Sequence, residues 1–136
     1  MHHIFYLDGN AQRVSWVILT KDSIFEQSRE HVEIYRDKIS NLQSKYIALH
    51  IGLFWAIGVF IIKNEDHIKI KLDDKKMFDQ LTSNEEIKDE FCKNKVKFTK
   101  QLISQRKLEI EFEFIQQENN LSKKILDAKE LKTKNG

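Results

Sequence analysis

The sequence predicts a single α/β domain whose strands form one five-stranded mixed sheet. Three observations support this prediction: the length of 136 residues, a strictly alternating segment near the C-terminus, and an element order of β-β-β-α-β-α-α-β-α. A chain of this length is ordinarily one domain with one core. We assign residues 1–131 to the domain and expect residues 132–136 to form a frayed C-terminal tail.

The first third of the chain favours strands. Short apolar runs over residues 4–8 and 14–20 each end in turn-forming residues, Asp8-Gly9 and Lys21-Asp22-Ser23. At least one further strand is predicted within residues 24–35. Because the three strands are close together in the chain, we expect an antiparallel meander.

A long apolar helix is predicted over residues 41–62. Within it, residues 46–62 contain only one strongly polar side chain, His50. This length is at the lower limit for a membrane span, but a helix packed centrally in an α/β domain also lacks a polar face. We favour the buried helix, because the rest of the chain forms a complete soluble domain around it.

The second half alternates strands and helices. Ile68, Ile70 and Leu72 alternate with charged residues, which predicts a half-buried strand. A short helix is predicted over residues 74–81. The capping residues 82–84 and the acidic pair after them predict the start of a longer helix. We expect that helix to direct four apolar side chains to the core: Ile87, Phe91, Phe98 and Leu102.

The last strand and helix are predicted over residues 108–115 and 119–131. Three glutamates, Glu109, Glu111 and Glu113, alternate with apolar residues along this strand. A strand–helix–strand connection is normally parallel and right-handed, so this strand is expected beside residues 68–73. Lys69 and Lys71 should then pair with some of the glutamates.

The composition limits the kinds of binding site that the protein can have. Lys and Arg number 23 against 21 Asp and Glu, a formal net charge of +2. This balance does not by itself indicate nucleic-acid binding. A single cysteine, Cys92, excludes an intrachain disulfide and a cysteine zinc cage. We expect an intracellular protein, cytoplasmic or nuclear, with no membrane association.

Four stretches of the sequence resemble the motifs of one family. They are Tyr6-Leu7-Asp8-Gly9, residues 40–49 with the sequence SNLQSKYIAL, residues 70–81 beginning IKLDD, and residues 115–120 with the sequence IQQENN. In this order and at these spacings they resemble ribonuclease HI. The chain is most similar to the compact, archaeal-like members that lack the basic handle helix. The resemblance implies a sheet in the order 3-2-1-4-5.

The resemblance also implies a carboxylate site that has been half lost. The family holds two Mg²⁺ ions with four carboxylates, and two of these positions correspond to Asp8 and Asp73. The other two correspond to Lys45 and Lys123. Because an ammonium group has no lone pair, it cannot bind a cation. We expect Asp8 and Asp73 side by side, with Lys45 and Lys123 in ion-pair contact with them.

Three functions remain open at this point. The first is an inactive ribonuclease HI-like domain that binds an RNA/DNA hybrid, a structured RNA or a protein, with no metal cofactor. The second is an active ribonuclease that uses Mg²⁺ in a site rearranged around Asp74, Asp66, Glu65 and Glu118. The third is a pure protein-binding scaffold. Four lysines predicted on one helix face are either a phosphate track or a solvated surface: Lys93, Lys97, Lys100 and Lys107.

Overall fold

The sheet has the predicted strand order. The computed structural model describes residues 1–83 and 85–135, with side chains described as far as Lys129. The strands are β1 (His2–Gly9), β2 (Arg13–Leu19), β3 (Ile24–Glu30), β4 (His67–Leu72) and β5 (Glu109–Phe114). They lie in the order β3-β2-β1-β4-β5. The first three form an antiparallel meander, whereas β4 is parallel to both β1 and β5.

Four α-helices accompany the sheet. They are α1 (Asn41–Gly58), α2 (Lys75–Thr82), α3 (Glu90–Arg106) and α4 (Leu121–Asn135). Helix α1 packs against β1, β2 and α3, while α4 packs against β1 and β2. Because α1 lies between the sheet and α3, it is apolar on nearly every side. None of the helices in the described part of the chain has the length and hydropathy of a membrane span.

The predicted charge pairing between β4 and β5 is confirmed. Lys69 lies opposite Glu111 and Lys71 opposite Glu113 in the parallel register. The Nζ of Lys71 is 2.6 Å from Glu113 Oε2, and the Nζ of Lys69 is 3.7 Å from the same oxygen. These glutamates face away from the core, so the predicted register of β5 is correct. Since they are partly exposed, each pair contributes at most about 1 kcal/mol.

The prediction that α1 continues to Ile62 is wrong, since the helix ends at Gly58. The amide of Phe60 donates to the Ile57 carbonyl at 3.1 Å, and the amide of Ile61 donates to the Ala56 carbonyl at 2.9 Å. This pair of bonds is a Schellman motif, which ends a helix by placing one residue in the left-handed region. The turn lets Ile62, which is 1% exposed, pack into the core.

Helix α3 begins later than predicted, at Glu90. Its N-terminal cap is Asp89, whose carboxylate accepts from the Phe91 amide at 2.9 Å. Thr82 and Ser83 instead end α2, because their hydroxyls donate to carbonyl oxygens four residues earlier. Asn84, the third predicted cap, lies outside the described residues.

The predicted core face of α3 is partly wrong. Leu102 is buried, but Ile87 and Phe91 are half-buried and Phe98 is 47% exposed. The ring of Phe98 stacks on His50 of α1, with the ring centroids 5.9 Å apart. The buried face of the helix is a different set: Cys92, Val96, Thr99 and Leu102.

Helix α4 starts after a short 3₁₀ turn, Gln117–Asn119, and continues to Asn135. The predicted end at Leu131 is therefore too early, and residues 132–135, predicted as a frayed tail, have helical backbone. Gly136 lies outside the described part of the chain.

A close contact joins the end of β1 to the first turn of α1. A Cβ on Gly9 would lie 2.3 Å from Ser44 Oγ and 2.8 Å from the Ser44 carbonyl carbon. Ser44 is fully buried, and its Oγ is 2.7 Å from His31 Nε2 and 3.3 Å from the Arg13 carbonyl oxygen. Only glycine allows the strand and helix to approach this closely.

We expect Gly9→Ala to destabilise the fold by about 2 kcal/mol, because the added methyl group must displace backbone atoms of α1. The matched control is Gly58→Ala, where a Cβ meets nothing within 4 Å. That variant should be neutral, or up to about 1 kcal/mol more stable. Urea denaturation measures both free energies of unfolding; equal values for the two variants would contradict the close contact.

Candidate functional site

Two aspartates meet where β1 and β4 end. Asp8 is the penultimate residue of β1, and Asp73 directly follows β4. The two strands are parallel neighbours, so their carboxyl ends lie at the same edge of the sheet. Asp8 is 4% exposed and Asp73 is 9% exposed. The carboxylates are therefore close together and nearly removed from solvent.

The ammonium group of Lys45 lies against both carboxylates. Its Nζ donates to Asp73 Oδ1 at 2.7 Å and lies 3.7 Å from Asp8 Oδ1. A capping box fixes the start of α1, because the Ser40 hydroxyl accepts from the Gln43 amide while the Gln43 side chain accepts from the Ser40 amide. The predicted contact between Lys45 and the aspartates is confirmed.

Burial dominates the electrostatics of Asp8. It raises the pKa of Asp8, and the charge of Asp73 raises it further. The charge of Lys45 and the hydrogen bond from the Gly9 amide, 2.9 Å long, lower the pKa but do not cancel the effect of burial. The lysine therefore compensates the charge of Asp8 only in part.

Lys45 remains protonated, because its neighbours raise its pKa. Burial alone would lower the pKa of this lysine, but the hydrogen bond and charge of Asp73, together with Asp8 and Asp74, raise it above its usual value. Lys45 is thus a permanent cation at physiological pH. It places a positive charge beside both carboxylates.

Asn120 completes the cluster and was not predicted from the sequence. Its Nδ2 donates to Asp73 Oδ2 at 2.9 Å and to the Leu7 carbonyl at 3.0 Å. Its Oδ1 accepts from the Ser122 amide at 2.9 Å, which caps the start of α4. The only local signal is that asparagine is a common N-cap. Its contact with Asp73, 47 residues away in the chain, has no local signature.

Lys123 lies at the rim of the cluster rather than within it. It lines the same polar cavity of about 110 Å³ as Asp8, Lys45 and Asp73. Its Nζ pairs with Asp127 at 3.4 Å, one turn along α4. The predicted ion pair with Asp8 or Asp73 is therefore wrong for this lysine, although its charge still lowers the pKa of Asp8.

The four other acidic candidates do not join the cluster. Asp66 and Glu65 precede β4 and so lie at the opposite edge of the sheet, where Asp66 Oδ2 is 2.8 Å from His3 Nε2. Asp74 caps α2 by accepting from the Met77 amide, and Glu118 is exposed in the 3₁₀ turn. Within residues 1–83 and 85–135, no three His, Cys, Asp or Glu side chains are placed to hold a metal ion.

These residues do not fit a pair of Mg²⁺ ions. Mg²⁺ requires oxygen ligands in near-octahedral geometry, and the space between the two carboxylates is taken by an ammonium group at 2.7 Å from Asp73. A metal ion there would be repelled by the ammonium charge of Lys45, so these residues support no metal-dependent step.

The four predicted surface lysines follow α3. Lys93, Lys97 and Lys100 are exposed on the helix, while Lys107 is its C-cap in the left-handed conformation. The start of α3 is tied to the start of α1, because Gln43 Nε2 donates to Asp89 Oδ2 at 2.8 Å. The row therefore begins near the end of α1 that carries Lys45 and extends away from it.

Compared by sequence, the chain matches no protein-family model and no curated protein. Its structure, however, is similar to RNase H1 from the archaeon Halobacterium salinarum, with a TM-score of 0.69 at 21% identity over 93% of this chain and 97% of that one. The fold is that of ribonuclease H.

Two further structures of this fold are similar over most of their length. The N-terminal RNase H domain of a Mycobacterium tuberculosis protein gives a TM-score of 0.66 at 17% identity, covering 97% of this chain and 98% of that one. LC11-RNase H1, solved in complex with an RNA/DNA hybrid, gives 0.69 at 20% identity, covering 88% of each chain.

We expect Lys45→Met to lower the free energy of unfolding by about 3 kcal/mol at neutral pH. Methionine keeps most of the side-chain volume but leaves two buried carboxylates without their cation. Urea denaturation measures the change. A loss below about 1 kcal/mol would show that Asp8 and Asp73 do not need the ammonium group.

Asp8 and Asp66 should affect the pH dependence of stability in opposite directions. Because the pKa of Asp8 is raised on folding, ionised Asp8 costs stability as the pH rises through its folded pKa. Asp8→Asn should therefore gain stability relative to the wild type between acidic and neutral pH.

Asp66 is the matched control. Burial would raise its pKa, but hydrogen bonds from the Lys63 amide and His3 lower it overall. The contribution of ionised Asp66 to stability is present above its unfolded pKa and is lost as the pH falls through its folded pKa. Asp66→Asn should therefore be less stable than the wild type at neutral pH and equally stable in acid. Melting curves across this pH range test both signs; parallel curves for the two variants would contradict the assignment.

Proposed function

We propose that this protein is a ribonuclease H-like domain that binds nucleic acid, with an RNA/DNA hybrid as the first candidate, and that it does not carry out metal-dependent hydrolysis. The observation that carries the proposal is the ammonium group of Lys45, 2.7 Å from Asp73 and 3.7 Å from Asp8. It supplies from the chain itself the positive charge that two buried carboxylates need. A hydrolytic metal ion would have to displace it.

Nucleic-acid binding is supported by two features. The fold is shared with LC11-RNase H1, a protein solved in complex with an RNA/DNA hybrid. In addition, α3 carries five basic residues against one acidic residue, Glu90. Phosphate contacts from lysines supply most sequence-independent affinity for nucleic acids. We propose that Lys93, Lys97 and Lys100 provide such contacts.

The test is binding of a fluorescein-labelled RNA/DNA hybrid in EDTA, followed by anisotropy between about 50 and 200 mM salt. We expect binding without metal. Replacing Lys93, Lys97 and Lys100 by alanine should weaken it and reduce the salt slope by about 0.9 per lost phosphate contact. The control replaces two exposed lysines outside α3, Lys21 and Lys38, and should leave the slope unchanged.

Repeating the measurements with added Mg²⁺ distinguishes the three functions left open by the sequence. The wild type should neither cleave the hybrid nor gain thermal stability from Mg²⁺, whereas Lys45→Glu with Lys123→Asp should be stabilised by the ion. Mg²⁺-dependent cleavage by the wild type would establish the active alternative. Failure to bind hybrid or structured RNA at low salt would favour the protein scaffold.

A further inference from the structure

The end of the molecule away from the carboxylate cluster contains a second cavity. Gly58, the last residue of α1, lies roughly 20 Å along the helix axis from Lys45. Here α1 and α3 both end, next to a cavity of about 560 Å³. Its lining combines one aromatic ring, that of Phe60, with two cations, Lys63 and Arg106, and apolar atoms of Ile57 and Ile62. We call it the Phe60 cavity.

The fold does not explain why residue 60 is phenylalanine. Its φ of 66° places it in the left-handed region, at the Schellman position where glycine is usual. The side chain is 77% exposed, so burial of the ring offsets little of the free-energy cost of the left-handed backbone. Gly58, by contrast, sits two residues earlier, where a side chain would meet open space. The local sequence is therefore not the one that would best stabilise this turn.

Backbone strain is concentrated around the same cavity. Four non-glycine residues in the described part have positive φ, and three of them are at this end: Phe60, Glu65 and Lys107. Glu65 and Lys107 adjoin the lining residues Asn64 and Arg106, and the Glu65 amide donates to the Arg106 carbonyl at 2.9 Å. Strained residues of this kind cluster at binding sites more than elsewhere.

The cavity also carries a local excess of positive charge. Lys63, Arg106 and Lys107 are exposed, and none forms an ion pair with a side chain in the described ranges. Cations at the C-terminus of α3 interact favourably with the helix dipole, which in part explains the presence of Arg106 and Lys107. The dipole does not account for an exposed aromatic ring in the same cavity as Lys63 and Arg106.

We propose that the Phe60 cavity binds single-stranded nucleic acid, with a base stacked on the Phe60 ring and the flanking phosphates on Lys63 and Arg106. A single strand offers both features that the cavity matches: a flat apolar base and a regularly spaced negative backbone. The site is separate from the Asp8 and Lys45 cluster, and it takes a single strand where the proposed function takes a duplex.

The experiment compares a short labelled oligouridylate with a blunt RNA/DNA hybrid in anisotropy titrations. Phe60→Gly should weaken oligouridylate binding roughly tenfold, since stacking on an aromatic ring is lost, and leave hybrid binding unchanged. Its melting temperature should equal or exceed that of the wild type, because glycine suits the left-handed backbone. A loss of binding then does not reflect unfolding.

Two further variants complete the design. Phe54→Ala removes a phenylalanine of α1 that is 66% exposed and does not line the cavity, and it should bind like the wild type. Lys63→Ala with Arg106→Ala should reduce the salt slope for oligouridylate by about 1.4, at about 0.7 per phosphate.

The proposal is overturned if Phe60→Gly binds oligouridylate as the wild type does, or if Phe54→Ala loses as much affinity. It is also overturned if oligouridylate does not bind the wild type; Phe60-dependent binding of a short Glu/Leu peptide would then identify the cavity as a peptide site. Because the hybrid is measured separately, failure here and failure of the proposed function give different results.

Discussion

The buried ion pair between Lys45 and Asp73 constrains much of the surrounding structure. Parallel pairing of β1 and β4 brings two carboxylates to one sheet edge, where burial makes a double negative charge costly. A cation beside them offsets part of this cost, and here it comes from the second turn of α1. That helix must therefore start very close to the end of β1. The contact of Gly9 with Ser44 and the capping box at Ser40 provide this proximity.

A tethered ammonium differs from a bound divalent ion in its consequences. A metal site is filled or empty according to ion concentration, and its ligands bind the ion only when they are deprotonated. Lys45 is always present, and its raised pKa keeps it charged. Asn120 takes the second oxygen of Asp73, so that carboxylate is satisfied within the protein. The cluster thus stabilises the junction of β1, β4, α1 and α4 instead of offering open coordination positions.

Sequence patterns predicted the parts of this protein that are repeated or locally encoded. Alternation predicted the charge pairs between β4 and β5. The resemblance of four motifs to ribonuclease HI implied the sheet order and the contact of Lys45 with the aspartates. Helix ends were less predictable. Thr82 and Ser83 can cap the next helix or bond back to the previous one, and only the tertiary structure selects between these hydrogen bonds. Asn120 and the turn at Phe60 were missed because their roles depend on contacts distant in sequence or on backbone conformation.

The near-neutral total charge conceals a division of charge within the molecule. On β4 and β5 the lysines and glutamates face one another and largely cancel. Helix α3 contains five basic residues and one acidic residue. Among the described residues, the ion pair on this helix is that of Lys93 with Glu90, at 4.0 Å. An unpaired cation on an exposed helix keeps its field in solution, within the roughly 10 Å over which salt screens it. The net charge of +2 therefore does not argue against a polyanionic partner, because α3 carries a local excess of positive charge.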